Sequence, residues 1–339
     1  MTMNTSAVNA TAADSILQVQ NLKKYFPIKV GVFRSVAGHV KAVDGVSFSI
    51  KRGRTMGLVG ESGCGKSTLA RVLLRLLESS GGAVSYDGKN VLTANKTELR
   101  KLRTRMQIIF QDPFSSLNPR LSVNDIVGEA MLQHKIVANR AEMTRRVTEI
   151  IDKCGLSAEH AQRYPHQFSG GQRQRICIAR ALAVNPDFIV CDEAVSALDV
   201  SIQSQIINLL KDRQDEGNLT YLFISHDLSV VKFISDDVCV MYLGQIVESG
   251  TKEQIFNSPL HPYTEALLSA APTFDPSSRR GRKRIILAGD IPSPANPPPG
   301  CRFHTRCPYA KEICKESEPD ILEIESGHNV MCHKVQGKL

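Results

Sequence analysis

Short, wholly apolar runs alternate with longer amphipathic stretches through the middle of the chain. The apolar runs predict buried strands and lie at Thr55–Gly60, Asp187–Glu193 and Thr220–Asp227. Between them, Ser67–Leu77 and Ser201–Gln214 repeat apolar residues at helical spacing. Strands that alternate with helices in this way favour an α/β fold, with a mainly parallel sheet and helices on both of its faces.

The pattern differs on either side of this region. Ile16–Phe26 and Val40–Ile50 predict short antiparallel strands, whereas residues 115–185 are mostly helical in pattern. After Pro259 the sequence becomes proline-rich and irregular, which is typical of a domain boundary. We therefore expect a flexible tail at 1–14, a main domain at 15–260 with a helical subdomain at about 115–185, and an extension at 261–339.

A phosphate-binding loop follows the first buried strand. Gly60–Ser67 fits the pattern G-x-x-x-x-G-K-[ST] between a strand and a helix, which is the context that this motif requires. Backbone N–H groups of such a loop point at phosphate oxygens, and the helix N-terminus adds positive potential. Lys66 is expected to reach the β- and γ-phosphates, Ser67 to bind Mg²⁺, and Thr68 to assist at the α-phosphate. The other predicted nucleotide-binding residues of the loop are Gly60, Glu61, Ser62, Gly63, Cys64 and Gly65.

Two acidic residues and a histidine follow the other buried strands. Ligands of such sheets gather at the carboxyl ends of the strands. Asp192 is therefore predicted to act on Mg²⁺, directly or from just behind its ligands, and Glu193 to polarise the attacking water. His226 is predicted to contact the γ-phosphate. A lone histidine after a strand is more often a surface residue, so this last assignment depends on the motifs around it.

A second glycine turn, Ser169-Gly170-Gly171-Gln172, comes about a hundred residues after the first. Ser169 can cap the helix that follows, and the two glycines leave N–H groups open at its positive end. The order and spacing of "GESGCGKST", "QDP", "SGGQ", "DEAVSALD" and "SHD" resemble the ABC transporter ATPases. In that family two cassettes stack head to tail, and the SGGQ turn of one completes the site around the ATP of the other.

The resemblance implies a P-loop NTPase cassette with a RecA-like parallel-sheet core, an antiparallel β subdomain and a helical signature subdomain. Gln111 matches the glutamine that senses Mg²⁺ and the attacking water, and Asp199 matches the aspartate that contacts the opposite cassette. Phe26 is assigned to stacking on adenine, with Tyr25 as the alternative. Family members commonly have proline where this chain has Ala194, a difference that leaves the preceding carboxylate in place.

Further segments resemble the peptide and nickel import branch of the family, and within it the second ATPase subunit of dipeptide and oligopeptide permeases. These segments are "LKKYFPIKVGVFR", "FQDPFSSLNPR", "HPYTEALLSA" and "GDIPSPANPPPGCRFHTRC". The resemblance implies an ATPase that energises the uptake of di- or oligopeptides, although related importers also carry glutathione, opines or nickel. It implies a heterodimer with a homologous ATPase subunit, two transmembrane permeases and an extracytoplasmic solute-binding protein that acts indirectly. The implied location is the cytoplasmic face of the bacterial inner membrane.

Four cysteines, Cys301, Cys307, Cys314 and Cys332, lie close together near the end of the chain. Their spacing lacks the close pairs of structural zinc sites and does not match the ferredoxin patterns. Spacing alone leaves zinc, an iron–sulfur cluster and free thiols open. The resemblance favours a [4Fe–4S] cluster over Zn²⁺, because some peptide-importer ATPases carry such a cluster in this tail.

Charge allows a competing interpretation. The net charge of +8 fits nucleic acid, an anionic membrane surface or an anionic ligand, and the densest basic run, Arg279–Arg284, is interpreted as a solvated linker. A non-transport ABC ATPase that acts on DNA or ribosomes is the main alternative. DNA-repair members insert a long coiled coil between phosphate loop and signature, for which the distance from Lys66 to Ser169 leaves no room. Ribosome-acting members carry two cassettes, and a helicase-type NTPase does not explain SGGQ, so no nucleic-acid partner is expected.

Overall fold

The computed structural model describes residues 14–31, 35–196, 198–217, 219–270 and 285–337. Residues 1–13 of the expected tail and the basic run Arg279–Arg284 lie outside the described residues. The chain forms two compact units. The first unit combines the residues up to Thr93 with those from His226 onward, and the second unit is Ala94–Ser225.

Strands and helices are numbered here in chain order. The strands are β1 (Ser15–Val30), β2 (Ser35–Lys51), β3 (Thr55–Val59), β4 (Gly81–Tyr86), β5 (Lys89–Asn90), β6 (Met106–Ile109), β7 (Phe188–Asp192), β8 (Thr220–Ile224), β9 (Asp237–Tyr242), β10 (Gln245–Thr251), β11 (Leu322–Glu325) and β12 (His328–Val330). The helices are α1 (Lys66–Leu73), α2 (Lys96–Arg105), α3 (Pro113–Ser116), α4 (Val123–Gln133), α5 (Arg140–Lys153), α6 (Gly170–Leu182), α7 (Val200–Gly217), α8 (Leu228–Ile234), α9 (Lys252–Asn257), α10 (Pro262–Ala270) and α11 (Glu312–Glu316). Within the described ranges, no helix is both long enough and apolar enough to cross a bilayer.

The first unit contains an antiparallel sheet and a mixed set of strands. The antiparallel sheet has the order β2-β1-β4-β5. In the mixed set, β11, β12, β10, β9 and β3 follow one another, with β3 and β9 parallel and the other pairs antiparallel. Every residue of β3 is buried, which fits the predicted core strand that leads into the phosphate loop.

The first two strands are longer than predicted. The sequence pattern indicated short strands at Ile16–Phe26 and Val40–Ile50, whereas β1 and β2 span 16 and 17 residues. Their pairing continues from Tyr25 opposite Lys41 to Val30 opposite Ser35. The added part of the hairpin is largely exposed, so backbone hydrogen bonds hold it rather than an apolar face.

The second unit holds three parallel strands and most of the helices predicted for residues 115–185. The strand order is β8-β7-β6, and every residue of β7 and β8 is buried. Strands buried on both faces read as unbroken apolar runs, which is why sequence pattern alone located them. The helices α3 to α6 and two short 3-10 turns, at Ala158–Gln162 and Pro165–Gln167, confirm the helical character of this segment.

The C-terminal extension is joined to the rest of the first unit through a buried carboxylate. Glu248 in β10 is 1 % exposed and accepts hydrogen bonds from the backbone N–H groups of Leu260 (2.8 Å) and His261 (3.0 Å). Its Oε1 also lies 2.8 Å from Nε2 of His328 in β12, the strand in which Val330 pairs with Glu248 across the sheet. A buried carboxylate needs such partners, because burial of an unpaired charge is costly.

Candidate functional site

The phosphate loop lies between β3 and α1, and two of its glycines are required by close backbone contacts. Gly60 and Gly65 have φ angles of 155° and 112°. A Cβ on Gly60 would lie 2.2 Å from the carbonyl oxygen of Met241, and a Cβ on Gly65 would lie 2.0 Å from that of Ala42. Only glycine fits at either position, so the loop is held in one shape by the strands beneath it.

The Lys66 side chain is held by backbone carbonyl groups of this loop. Its Nζ donates to the carbonyl oxygens of Gly60 (2.8 Å) and Glu61 (3.0 Å), and the residue is 5 % exposed. Ser67 and Thr68 follow in the first turn of α1 and are half-buried. The ammonium group is therefore positioned by the loop itself, in the motif whose lysine binds phosphate oxygens.

The remaining loop residues differ in exposure. Ser62 and Gly63 are exposed, whereas Cys64 is buried, 3.7 Å from the ammonium nitrogen of Lys66. Burial raises the pKa of the Cys64 thiol, although the nearby lysine acts in the opposite direction. The thiol is therefore a poor nucleophile, since thiolate is the reactive form.

Gln111 and Glu193 meet in the second unit. The amide Nε2 of Gln111 donates to the carboxylate Oε2 of Glu193 at 2.7 Å. Asp192 ends β7 and is 1 % exposed. The carboxylate predicted to act on Mg²⁺ is therefore buried, and the residue predicted to polarise water follows it in the chain. Gln111 thus contacts Glu193 within this unit, and Asp192 precedes Glu193 directly in the chain.

Glu193 has a backbone conformation that sequence reasoning did not anticipate. Its φ is 50°, in the left-handed region, which costs a non-glycine residue about 1–2 kcal/mol. Its N–H donates to the carbonyl of Ile224 (3.1 Å), and its own carbonyl accepts from the N–H (3.2 Å) and the hydroxyl (3.0 Å) of Ser196. Strain held by several surrounding bonds is typical of functional positions.

The SGGQ turn begins α6 as predicted. Ser169 Oγ accepts from the N–H of Gln172 at 3.3 Å, and the Gln172 side chain accepts from the N–H of Ser169 at 3.0 Å, so the predicted cap is confirmed as a full capping box. Gly170 has space around it, but a Cβ on Gly171 would lie 2.6 Å from Ile202 Cγ2. Close packing of α6 on α7 thus requires the second glycine.

Other predicted residues occupy varied settings. Asp199 is exposed and caps α7, since its Oδ1 accepts from the N–H of Ile202 at 3.0 Å. His226 is exposed between β8 and α8. Phe26 is half-buried, with the ammonium of Lys24 4.9 Å from its ring centroid.

Tyr25, the alternative to Phe26, is engaged elsewhere. Its hydroxyl donates to the carboxylate of Asp44, which also pairs with Arg302. Burial of the phenol and the hydrogen bond to Asp44 raise the pKa of Tyr25 to about 12. The assignment of Phe26 or Tyr25 to adenine stays a prediction.

The four tail cysteines lie near one another in the first unit. Cys314 and Cys332 are buried, Cys301 and Cys307 are half-buried, and the Cys301 N–H donates to the Cys314 carbonyl at 2.9 Å. Burial, with smaller contributions from the neighbouring thiols, raises the pKa of Cys301 to about 12 and that of Cys307 to about 11. Among the residues that the structure describes, no group of three or more His, Cys, Asp or Glu side chains is arranged to hold a metal ion.

The contacts between the extension and the phosphate loop were not predicted. Both guanidinium Nη atoms of Arg306 bond the two carboxylate oxygens of Glu61, at 2.7 and 3.1 Å, and Tyr263 accepts from the Glu61 N–H at 2.8 Å. Arg302 donates to the carbonyl of Leu243 at 2.5 Å as well as to Asp44. Long-range pairs of this kind leave no local pattern in a single sequence.

Comparisons with known proteins decide the family. The profile described as ABC transporter matches residues 43–196, and that described as oligopeptide/dipeptide transporter, C-terminal region, matches residues 247–314. The oligopeptide transport ATP-binding protein AppF of Bacillus subtilis is 53 % identical over 327 residues, covering 96 % of this chain and 99 % of AppF. The chain belongs to the ABC transporter ATP-binding proteins. This ABC ATPase is also 48 % identical to the dipeptide transport ATP-binding protein DppF of Escherichia coli, over 97 % of both chains.

Solved structures agree with this assignment. The cassette MJ0796, in a dimeric post-hydrolysis state bound to ADP and Pi, matches with a TM-score of 0.63 and 28 % identity over 70 % of this chain and 98 % of its own. CbiO1 of Clostridium perfringens, part of the ABC transporter complex cbiONQ, matches with a TM-score of 0.61 over 72 % of this chain and 92 % of its own, also at 28 % identity. The predicted α/β cassette fold is confirmed, and the chain is an ATPase of the ABC type.

Proposed function

We propose that this ABC ATPase hydrolyses ATP to power the uptake of di- or oligopeptides through two partner permeases. The observation that carries the chemistry is the contact of Gln111 with Glu193, next to the buried carboxylate of Asp192. The cargo class is supported by relatives named for oligopeptide and dipeptide transport, which match over nearly the whole chain. The division of the chain near residue 260 stays a prediction, since the C-terminal-region profile runs across it, at residues 247–314.

The residues of each unit have separate tasks in this proposal. Lys66 exchanges its two carbonyl partners for the β- and γ-phosphates of ATP. Ser67 and Gln111 would supply oxygen ligands of the type that Mg²⁺ prefers, and Asp192 would act on the ion directly or from just behind its ligands. The Glu193 carboxylate accepts a hydrogen bond from the attacking water and so raises the nucleophilicity of that water.

The second half of each reaction site comes from a partner. The start of α6 is formed by Ser169, Gly170, Gly171 and Gln172, of which Ser169 is exposed and Gly171 is buried. The helix dipole favours an anion there, and we assign these residues to the γ-phosphate bound by a homologous subunit. Asp199 contacts that subunit, His226 contacts the γ-phosphate, and Phe26 stacks on adenine. The heterodimer acts on two permeases at the cytoplasmic face of the inner membrane, and a solute-binding protein delivers peptide from the other side.

Co-purification and transport together test this function. The chain, tagged and extracted with detergent from the cells that encode it, is expected to bring down a second ABC ATPase and two permeases. Proteoliposomes containing this assembly should import a labelled dipeptide or oligopeptide only with ATP and the binding protein. Recovery with ribosomes or DNA, and no permease, would instead favour a non-transport ABC ATPase.

We also retain a [4Fe–4S] cluster as a prediction for Cys301, Cys307, Cys314 and Cys332. The thiols influence one another's pKa, and backbone N–H groups of Phe303, Tyr309 and Lys334 are directed at three of the sulfurs. Hydrogen bonds of that kind stabilise thiolates and tune such clusters. The spacing of these cysteines lacks the close pairs that structural zinc sites usually have.

Chemical analysis of the protein distinguishes these possibilities. Protein purified without oxygen is expected to be brown, with stoichiometric iron and acid-labile sulfide that disappear in Cys314→Ser. The matched control is Cys154→Ser, which replaces another buried cysteine in the second unit and should keep the colour. A colourless protein with stoichiometric zinc, or with neither metal, would contradict the cluster.

A further inference from the structure

The phosphate loop carries an acidic side chain at a place where its substrate is anionic. Glu61 follows Gly60 directly, and its carboxylate is about three-quarters buried, with 25 % of its side chain exposed. Lys66 provides one positive charge to the same loop, so these two side chains alone would sum to zero. A negative side chain in the loop opposes the binding of a polyphosphate.

Arg306 of the extension supplies the missing charge. Its guanidinium forms a two-pronged pair with the Glu61 carboxylate, with N···O distances of 2.7 and 3.1 Å, and its side chain is 8 % exposed. Paired carboxylate and guanidinium geometry is among the strongest ionic contacts in proteins. With Arg306 included, the three side chains carry one net positive charge.

Lys66 and Arg306 contact different parts of Glu61. The ammonium of Lys66 bonds the carbonyl oxygen of Glu61, whereas the two carboxylate oxygens bond Arg306. The Glu61 N–H is separately bonded to Tyr263 at 2.8 Å. A carboxylate released from Arg306 would compete with phosphate oxygens for the lysine.

Aromatic packing holds Arg306 in place. Phe303 is 1 % exposed, and its ring centroid lies 5.3 Å from that of Tyr242 and 5.4 Å from that of Tyr263. The N–H of Arg306 donates to the Phe303 carbonyl at 3.0 Å, so the backbone of the arginine is bonded to that of the buried phenylalanine. An arginine positioned in this way loses little side-chain entropy when it binds the carboxylate.

We propose that Arg306 is a positioning residue of the ATP site, which holds the Glu61 carboxylate away from Lys66 and offsets its charge so that the phosphate loop attracts the nucleotide. The extension thus contributes to ATP affinity and not only to the stability of the first unit. This inference rests on ATP binding at the phosphate loop.

Two substitutions break the same ion pair but change the charge in opposite ways. In Arg306→Gln the carboxylate is left uncompensated, and the Kd for MgATP should rise about tenfold, an effect that shrinks at high salt. In Glu61→Gln no carboxylate remains, and the Kd should lie about tenfold below that of Arg306→Gln. The double variant should bind MgATP like Glu61→Gln. The readouts are titration calorimetry of the full chain and its thermal unfolding midpoint without nucleotide.

Controls separate this role from a general effect. Arg52→Gln removes an arginine from another ion pair of the first unit, Arg52 with Asp87 at 2.8 Å, and should leave the Kd unchanged. If Glu61→Gln weakens MgATP binding as much as Arg306→Gln does, or if the double variant is no better than Arg306→Gln, Arg306 is only a tether and the inference is wrong. If Lys66→Ala also leaves the Kd unchanged, ATP does not bind at this loop, and the proposed function fails together with the inference.

Discussion

Replacing Glu193 with glutamine is expected to lower ATP turnover by about 10²- to 10³-fold while ATP-induced association with the partner ATPase persists. Glutamine has nearly the same shape and can still accept the hydrogen bond from Gln111, now 2.7 Å long. It cannot act as a base, so water attack slows while nucleotide binding is unaffected. Phosphate release by the assembled transporter and size-exclusion chromatography with ATP measure the two effects.

A matched control makes the same Glu→Gln substitution at a surface position of the same unit. Glu149 in α5 belongs to the same unit, pairs with Arg145 at 2.6 Å and has a side chain that is 55 % exposed. Glu149→Gln should leave turnover unchanged. Near-normal ATPase activity in partner-assembled Glu193→Gln would mean that another group activates the water.

Lys66→Ala should weaken nucleotide binding itself, and not only the chemical step. A hydrogen bond from an ammonium group to a charged acceptor contributes about 1.5–3 kcal/mol, so the Kd for MgATP should rise roughly 10- to 100-fold. The substitution also leaves the carbonyls of Gly60 and Glu61 without their present donor. Titration calorimetry gives the Kd, and a thermal unfolding curve tests whether the loop remains folded.

An exposed lysine of the first unit serves for comparison. Lys89 in β5 carries the same charge on the surface, and Lys89→Ala should bind MgATP like the unchanged protein. A Kd for Lys66→Ala within about twofold of the unchanged protein would contradict the role of Lys66 in phosphate binding.

Short-range physics explains which parts of the site could be predicted. The phosphate loop is a local motif between a buried strand and a helix, and the cap of Ser169 with Gln172 involves residues only three apart. Both features depend on neighbours along the chain. The apolar run before Asp192 likewise indicated a strand buried on both faces.

The end of α1 shows a limit of such reasoning. The pattern predicted a helix over Ser67–Leu77, but α1 ends at Leu73. Arg75 has a φ of 50°, its N–H donates to the carbonyl of Val72 at 2.9 Å, and the N–H of Leu76 donates to that of Arg71 at 2.8 Å. This is a Schellman ending, which glycine usually marks. With arginine in the left-handed position, the sequence contains no stop signal.

Long-range contacts account for the other differences. The pair of Arg306 with Glu61 joins residues 245 positions apart, and the pair of Arg302 with Asp44 joins residues 258 positions apart. A single sequence indicates neither, because each partner alone resembles an ordinary surface charge. The left-handed conformation of Glu193 is similar, since its bond to Ile224 depends on the strand beside it.

The tight contact at Gly171 affects how genetic data on the signature turn should be interpreted. The glycine packs against Ile202, and the N–H of Ile202 is bonded to Asp199, so the start of α6 and the start of α7 meet in one corner. A bulkier residue at 171 would push on Ile202, in the corner that contains the aspartate assigned to the opposite cassette. Inactive alleles at this codon therefore report on the shape of the corner, and cannot by themselves be taken as proof that Gly171 contacts a phosphate.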